Sequence, residues 1–202
     1  MIHDFDEELE YSEKASEESF WFDVYKKAFP NMVNCMSGWG DTESQRKGID
    51  RVILLANGKT LYVDEKKRRK VYRDFLLEYI SVDKTGAPGW MEKELNIDYL
   101  AYAFMPIKRC YLLPWPLLRR AWLHFKNDWL NKYPIKPAEN KGYKTLSVAV
   151  PRNIVIQAIK RAVIIQLPKN KYNTKKQDIK NKKQELNSGS EQVQQTLFDS
   201  IG

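Results

Sequence analysis

Residues 48–68 read GIDRVILLANGKTLYVDEKKR, and this stretch decides how the fold is interpreted. An apolar run over 52–55 is followed by Asn57-Gly58 and then by a second β-rich run over 60–63. Asn-Gly between two such runs is the strongest short-range signal for a β-hairpin. The pattern therefore predicts two antiparallel strands that turn back on each other at Asn57-Gly58.

Charged residues stand at the open end of this hairpin. Asp50 precedes the first strand, and Asp64, Glu65 and Lys66 end the second. Because antiparallel strands fold back on themselves, we expect Asp50 to lie near Asp64. Two carboxylates and an ammonium at one edge of a sheet are the set needed to hold a hard divalent cation and cut a phosphodiester.

The strand register decides which acid and which lysine act together. Side chains alternate between the faces of a strand, so Asp64 shares a face with Lys66, and Glu65 shares the other with Lys67. If Val63 faces the core, Asp64 and Lys66 face the cleft. Glu65-x-Lys67 remains the alternative pair, and a solvated, charged strand end is the plain structural alternative.

This arrangement resembles the PD-(D/E)XK nuclease superfamily, in which an Asp starts one strand and an acid-x-Lys triplet ends the next. Ile49-Asp50 stands where the family has Pro-Asp, and Asp64-Glu65-Lys66 stands as acid-x-Lys. The family's proline is missing here, and it contributes no ligand. The resemblance covers about residues 45–82. It implies an α/β fold with a restriction-endonuclease-like core, a mixed sheet flanked by helices, over residues 1–168.

The resemblance also implies roles for the charged residues. Asp50 and Asp64 would be the carboxylate ligands of Mg²⁺, for which Mn²⁺ is a substitute, and the Glu65 carbonyl would be a further ligand. Lys66 would position the nucleophilic water and stabilise the transition state. Asp50, Asp64 and Lys66 are thus the predicted catalytic residues.

Two further residues are predicted to be accessory. Glu78 lies inside the apolar run FLLEYISV. In a cleft it would be a third metal ligand or would orient a water, and the alternative is a solvated acid on an edge strand. Gln45, five positions before Asp50, either lines the mouth of the cleft or is a plain polar loop residue.

Composition narrows the class of protein. The chain has 202 residues and a net charge of +8, but residues 1–19 carry −7, so the remainder carries +15. This balance favours a polyanionic partner such as DNA. No apolar run reaches 18 residues, so we expect no membrane span. The acidic N-terminus lacks a signal pattern, so we expect a cytoplasmic location, and the expected cell is prokaryotic or phage-infected. Two isolated cysteines and two histidines argue against a zinc site or a histidine triad.

Hydrophobic periodicity predicts the remaining elements and one mixed sheet. The expected helices cover about 16–28, 116–132 and 151–167, and the expected strands cover about 75–82, 99–105, 109–113 and 145–150.

Residues 169–202 differ in composition, being rich in lysine and poor in apolar residues. They are predicted to form a disordered basic tail. Within it, QQTLF (194–198) resembles the QxxLF peptide by which bacterial DNA-processing enzymes bind the sliding clamp. That resemblance implies Gln194, Leu197 and Phe198 as partner-binding residues on a flexible tether. The alternative is an apolar end that docks on its own domain.

Two classes of function compete. The first is a metal-dependent DNA nuclease recruited to a sliding clamp. The second is a non-catalytic nucleic-acid-binding accessory protein of replication or repair, and an RNA-directed nuclease is a third reading. The Asp50, Asp64 and Lys66 set favours the enzyme, because an adaptor has no need of it.

Overall fold

The computed structural model describes residues 5–38, 48–160 and 162–168. The helices are α1 (Phe5–Ala28), α2 (Trp115–Lys132) and α3 (Arg152–Ile159), with short 3-10 turns at Trp90–Glu92 and Met105–Ile107. The strands are β1 (Met32–Ser37), β2 (Arg51–Leu55), β3 (Thr60–Arg68), β4 (Asp74–Val82), β5 (Ala87–Pro88), β6 (Tyr99–Phe104), β7 (Arg109–Pro114), β8 (Ile135–Asn140), β9 (Tyr143–Pro151) and β10 (Val163–Gln166).

The predicted hairpin is confirmed. β2 and β3 pair antiparallel with Arg51 opposite Val63, and the turn at Asn57-Gly58 joins them. Gly58 has a φ of 80°, a conformation that favours glycine, and its N–H donates to the carbonyl of Leu55 at 2.9 Å. The Asn-Gly signal therefore corresponds to a real turn with the expected backbone geometry.

The strands form two sheets, whereas the sequence predicted one. A six-stranded mixed sheet has the order β1-β2-β3-β6-β7-β10, with β3 and β6 parallel and the other pairs antiparallel. β4 leaves this sheet and pairs with β9 in a four-stranded sheet of order β5-β4-β9-β8. Its Phe75 ring packs on Tyr102 and Tyr111 of the first sheet, with centroids 4.9 and 5.2 Å apart. β4 therefore packs on a face of the six-stranded sheet and pairs with none of its strands.

Each face of the six-stranded sheet covers its own core. On one face, α1 contributes Phe20, Trp21, Val24 and Tyr25, which recur at helical spacing. On the other face, the second sheet, α2 and α3 pack against β6 and β7. The fold is thus mixed α/β, with a mixed sheet flanked by helices.

The helix predicted over 151–167 is wrong in its second half. α3 ends at Ile159, because Lys160 adopts a left-handed conformation with a φ of 53°. The β-branched residues that follow, Val163 to Ile165, instead form β10 and pair with β7. The first helix is also longer than predicted, since it begins at Phe5 and not near Ser16.

Several predictions fall outside this description. Gln45 and the tail from 169 onward, with Gln194, Leu197 and Phe198, lie outside the described residues. Within the described ranges, no helix is long and apolar enough to cross a membrane.

Candidate active site

The hairpin brings Asp50 and Asp64 together. The N–H of Asp50 donates to the carbonyl of Val63 at 2.9 Å, which extends the pairing one residue beyond Arg51. The Asp50 carboxylate accepts the N–H of Glu65 at 2.8 Å and is in hydrogen-bonding contact with the Asp64 carboxyl. Two acids 14 positions apart in sequence therefore share one site.

Pairing with β6 determines which face of β3 carries Asp64. Asp64 lies opposite Leu100 and Lys66 lies opposite Tyr102, and both β6 residues belong to the core beneath the second sheet. The Asp64 side chain is only 3% exposed, and it forms an ion pair with the ammonium of Lys66. Asp64 and Lys66 thus project from the same face of β3.

Burial raises the pKa of the Asp64 carboxyl to about 7. The Lys66 ammonium opposes this shift, and the neighbouring Asp50 carboxyl adds to it. Taking a carboxylate out of water disfavours its charged form, and a second carboxylate disfavours it further. A bound cation would relieve both costs.

Glu78 reaches the same region from the second sheet. It is half-buried, and its carboxylate accepts the N–H of Trp90. Burial raises the pKa of Glu78, whereas the Trp90 N–H and the nearby Lys66 ammonium lower it. Glycine at 89 permits this approach, since a Cβ there would lie 2.5 Å from the Glu78 carbonyl oxygen. The Glu78 carboxyl therefore lies near enough to the Lys66 ammonium for the two charges to interact.

The alternative pair, Glu65 and Lys67, lies on the α1 face. Glu65 accepts hydrogen bonds from Arg51 Nε at 2.9 Å and from the Tyr25 hydroxyl at 2.8 Å. Lys67 pairs with Glu17 at 2.6 Å. Both side chains are therefore already engaged by the protein itself.

Arg51 is the residue that sequence reasoning missed. Its side chain is 5% exposed and bridges Glu65 to Glu18, with Nη1 2.7 Å from the Glu18 carboxylate. These bonds outweigh the effect of burial and raise the pKa of Arg51. The one signal in the sequence was an arginine at the first position of an otherwise apolar strand.

A cleft of about 590 Å³ opens beside the hairpin mouth. Asp50 and Lys66 line one side of the cleft. They belong to the paired-acid site, the name used here for Asp50, Asp64 and the attached Lys66. Residues of α1 line the other side of the cleft. Its lining consists of Glu17, Glu18, Trp21, Ser37, Asp50, Glu65, Lys66 and Lys67.

The carboxylate oxygens near Asp50 and Asp64 can be compared with the ligands that Mg²⁺, the metal implied by the sequence, prefers. Across the part of the chain that the structure describes, no three His, Cys, Asp or Glu side chains form a metal-binding group. The protein therefore offers the two carboxylates of Asp50 and Asp64. Mg²⁺ commonly binds through one or two carboxylates and keeps several waters, so this oxygen-only pair fits it.

No protein-family model, curated protein or solved structure matches the chain.

Proposed function

We propose that the protein is a metal-dependent nuclease that hydrolyses phosphodiester bonds in DNA, built on a restriction-endonuclease-like core. Asp50, Asp64 and Lys66 are the proposed catalytic residues. One observation carries the proposal: a buried carboxylate contacts a second carboxylate and a lysine at the end of one hairpin. A structural ion pair needs one acid for one base, and the second acid only adds repulsion.

The protein's own groups have distinct tasks in this proposal. Asp50 and Asp64 hold Mg²⁺, or Mn²⁺ in its place, and the Glu65 N–H fixes the orientation of the Asp50 carboxylate. When bound, the cation acidifies water and neutralises phosphate charge. Lys66, held by its ion pair with Asp64, stabilises the negative charge that develops on the scissile phosphate. Glu78 adds a negative charge near the Lys66 ammonium.

The polyanionic substrate is supported by charge. Beyond residue 19 the chain carries +15, and phosphate contacts from lysine and arginine supply most of the affinity of such proteins for DNA. Recruitment to a sliding clamp through Gln194, Leu197 and Phe198 stays a prediction from the sequence, as does a cytoplasmic location.

The proposal is tested by Mg²⁺-dependent cleavage of single-stranded, duplex and branched DNA, with chelator as the blank. Asp64→Asn and Lys66→Ala should each lower the rate at least 100-fold. Asp64→Asn removes a carboxylate ligand of the cation, and Lys66→Ala removes a positive charge next to the reacting phosphate. Lys67→Ala is the matched control. It removes the same residue type one position along β3, on the other face, and should keep the rate within about twofold of wild type.

Three results would contradict the proposal. Full activity in Asp64→Asn with Mg²⁺ present excludes the paired acids as the site. Loss of activity in Lys67→Ala but not in Lys66→Ala assigns the chemistry to Glu65 and Lys67. Salt-dependent DNA binding without cleavage of any of the three substrates identifies a non-catalytic accessory protein instead.

A further inference from the structure

A strongly basic surface continues directly from the paired-acid site. Residues 66–73 read KKRRKVYR, in which six of eight positions are lysine or arginine. Asp64, Lys66 and Arg68 alternate onto one face of β3, as their β6 partners do. A strand rises about 3.3 Å per residue, so Arg68 lies roughly 13 Å along the chain from Asp64. We call residues 68–73 the basic segment.

Most charges of the basic segment have no acidic partner. Arg69, Lys70 and Arg73 are exposed, and none forms an ion pair with any carboxylate that the structure describes. Arg68 alone lies near an acid, Asp74, at 3.7 Å. Exposed, unpaired cations beside a phosphodiesterase site are available to contact phosphate oxygens.

Tyr72 gives the basic segment an aromatic platform. Its side chain is exposed (40%), outside both cores, and the Arg68 guanidinium lies over its ring, 4.1 Å from the centroid. Arg68 is held in turn by the Tyr102 hydroxyl at 3.1 Å. The tyrosine and guanidinium are therefore arranged before any ligand binds. Unpaired bases stack on such aromatic and guanidinium planes, whereas bases inside a duplex are already stacked on each other.

The other approach to the site is less favourable for phosphate. The cleft beneath α1 is lined by Glu17, Glu18 and Glu65. Its two lysines are already paired with acids, Lys67 with Glu17 and Lys66 with Asp64. A polyanion is thus attracted along the basic segment and not through this cleft.

We propose that the basic segment binds a single-stranded part of the nucleic acid substrate. Arg69, Lys70 and Arg73 contact its phosphates, and one unpaired base stacks on Tyr72. The inference rests on the proposed function, because it names the form of nucleic acid that the Asp50, Asp64 and Lys66 site would cut. Binding to the basic segment itself requires no cleavage and can be measured separately.

The test is fluorescence anisotropy with a labelled single strand and with a duplex of the same sequence, in chelator so that no cleavage occurs. Tyr72→Ala should weaken single-strand binding roughly tenfold, because one stacked base is lost. Its effect on the duplex should stay below about twofold. Tyr72→Phe keeps the ring and should bind as wild type does. Tyr143→Ala is the matched control, since Tyr143 is similarly exposed (37%) but lies on the β8–β9 hairpin.

The phosphate contacts are tested by replacing Arg69, Lys70 and Arg73 together with alanine. Each lost contact removes about 0.7 from the slope of log affinity against log salt for a single strand, so the slope should flatten by about 2. Replacing Lys136 and Lys141, two exposed lysines of the β8–β9 hairpin, should leave the slope unchanged.

Several results overturn the inference. These are wild-type affinity in Tyr72→Ala, an equal loss on single strand and duplex, an unchanged salt slope in the triple variant, and no single-strand binding by the wild type. A stacking loss in Tyr72→Ala without any Mg²⁺-dependent cleavage by the wild type keeps the inference and refutes the nuclease. Cleavage by the wild type with normal binding by Tyr72→Ala refutes the inference alone.

Discussion

Strand β3 carries two acid-x-Lys pairs, Asp64 with Lys66 and Glu65 with Lys67. The two pairs differ in the groups that surround each acid. On the α1 face, Glu65 receives hydrogen bonds from Arg51 and Tyr25. On the other face, Asp64 has the Lys66 ammonium and a second carboxylate, Asp50, as neighbours. A carboxylate whose oxygens already accept hydrogen bonds from the protein links the elements that carry the donors. A buried carboxylate next to another acid can still gain stabilisation from a bound cation.

The α1 face of β3, where Glu65 is fully hydrogen-bonded, holds the hairpin against the helix. Arg51 lies at the start of β2, Glu65 near the end of β3, and Tyr25 and Glu18 on α1. Their bonds join the hairpin to the helix, with Arg51 and Tyr25 buried, the Glu65 side chain 10% exposed and Glu18 exposed at the edge. Within the described ranges, the bonds of Asp64 on the other face are to its near neighbours Asp50 and Lys66 and do not reach a helix. Four tests measure this contrast.

The largest stability effect should come from Arg51→Met. It leaves Glu65 buried without its guanidinium, and breaking a buried pair in this way costs about 3–5 kcal/mol. Urea unfolding gives the free energy of unfolding directly. Adding Glu65→Gln to Arg51→Met should recover part of the loss. An Arg51→Met variant as stable as wild type would mean that the α1 face is not held by this network.

The second test is the pH dependence of stability in chelator. The folded pKa of Asp64, about 7, lies above that of an unfolded Asp, near 3.9. The folded state therefore binds more protons between these values, and its stability falls as pH rises from about 4 to about 7. Each pKa unit corresponds to about 1.4 kcal/mol, so the fall amounts to a few kcal/mol. Denaturant titrations at several pH values measure it.

Asp64→Asn is the control for this pH effect, because the amide does not titrate. It should show a clearly flatter stability profile than wild type over the same range. Burial also raises the pKa values of Glu65 and Glu78, and they remain in both proteins, so the difference isolates Asp64. Identical profiles would show that Asp64 ionises normally in the folded protein.

The third test is stabilisation by Mg²⁺ near pH 8, measured by thermal unfolding. A ligand at ten times its Kd stabilises the folded state by about 1.4 kcal/mol. Wild type and Lys67→Ala should both gain this increment as Mg²⁺ is added. Asp64→Asn should gain little, because one of two carboxylate ligands is gone. An equal gain in Asp64→Asn would place the cation elsewhere.

The smallest effect should come from Lys67→Ala. The Lys67–Glu17 pair joins side chains that are 43% and 35% exposed. Exposed pairs contribute less than about 1 kcal/mol, so the midpoint of urea unfolding should hardly move. A loss comparable to that of Arg51→Met would mean that Lys67 belongs to the buried network after all.

The site was partly readable from local sequence. The Asn57-Gly58 turn and the two β-rich runs predict the hairpin, and the hairpin alone places Asp50 beside Asp64. Strand alternation separates Asp64 and Lys66 from Glu65 and Lys67. It does not tell which pair is saturated by partners, because those partners, Tyr25 and Glu18, lie on a helix far away in sequence.

Local patterns thus determined the turn, the strands of the hairpin and the alternation of its charges, because each depends on backbone preferences of neighbouring residues. Tertiary structure alone decided that β4 forms a second sheet, that Glu78 lies within electrostatic range of Lys66 and that residues 163–166 form a strand. It also buried Arg51 between two acids. These outcomes depend on pairings between distant segments, such as β3 with β6 and β7 with β10, which no short window of sequence encodes.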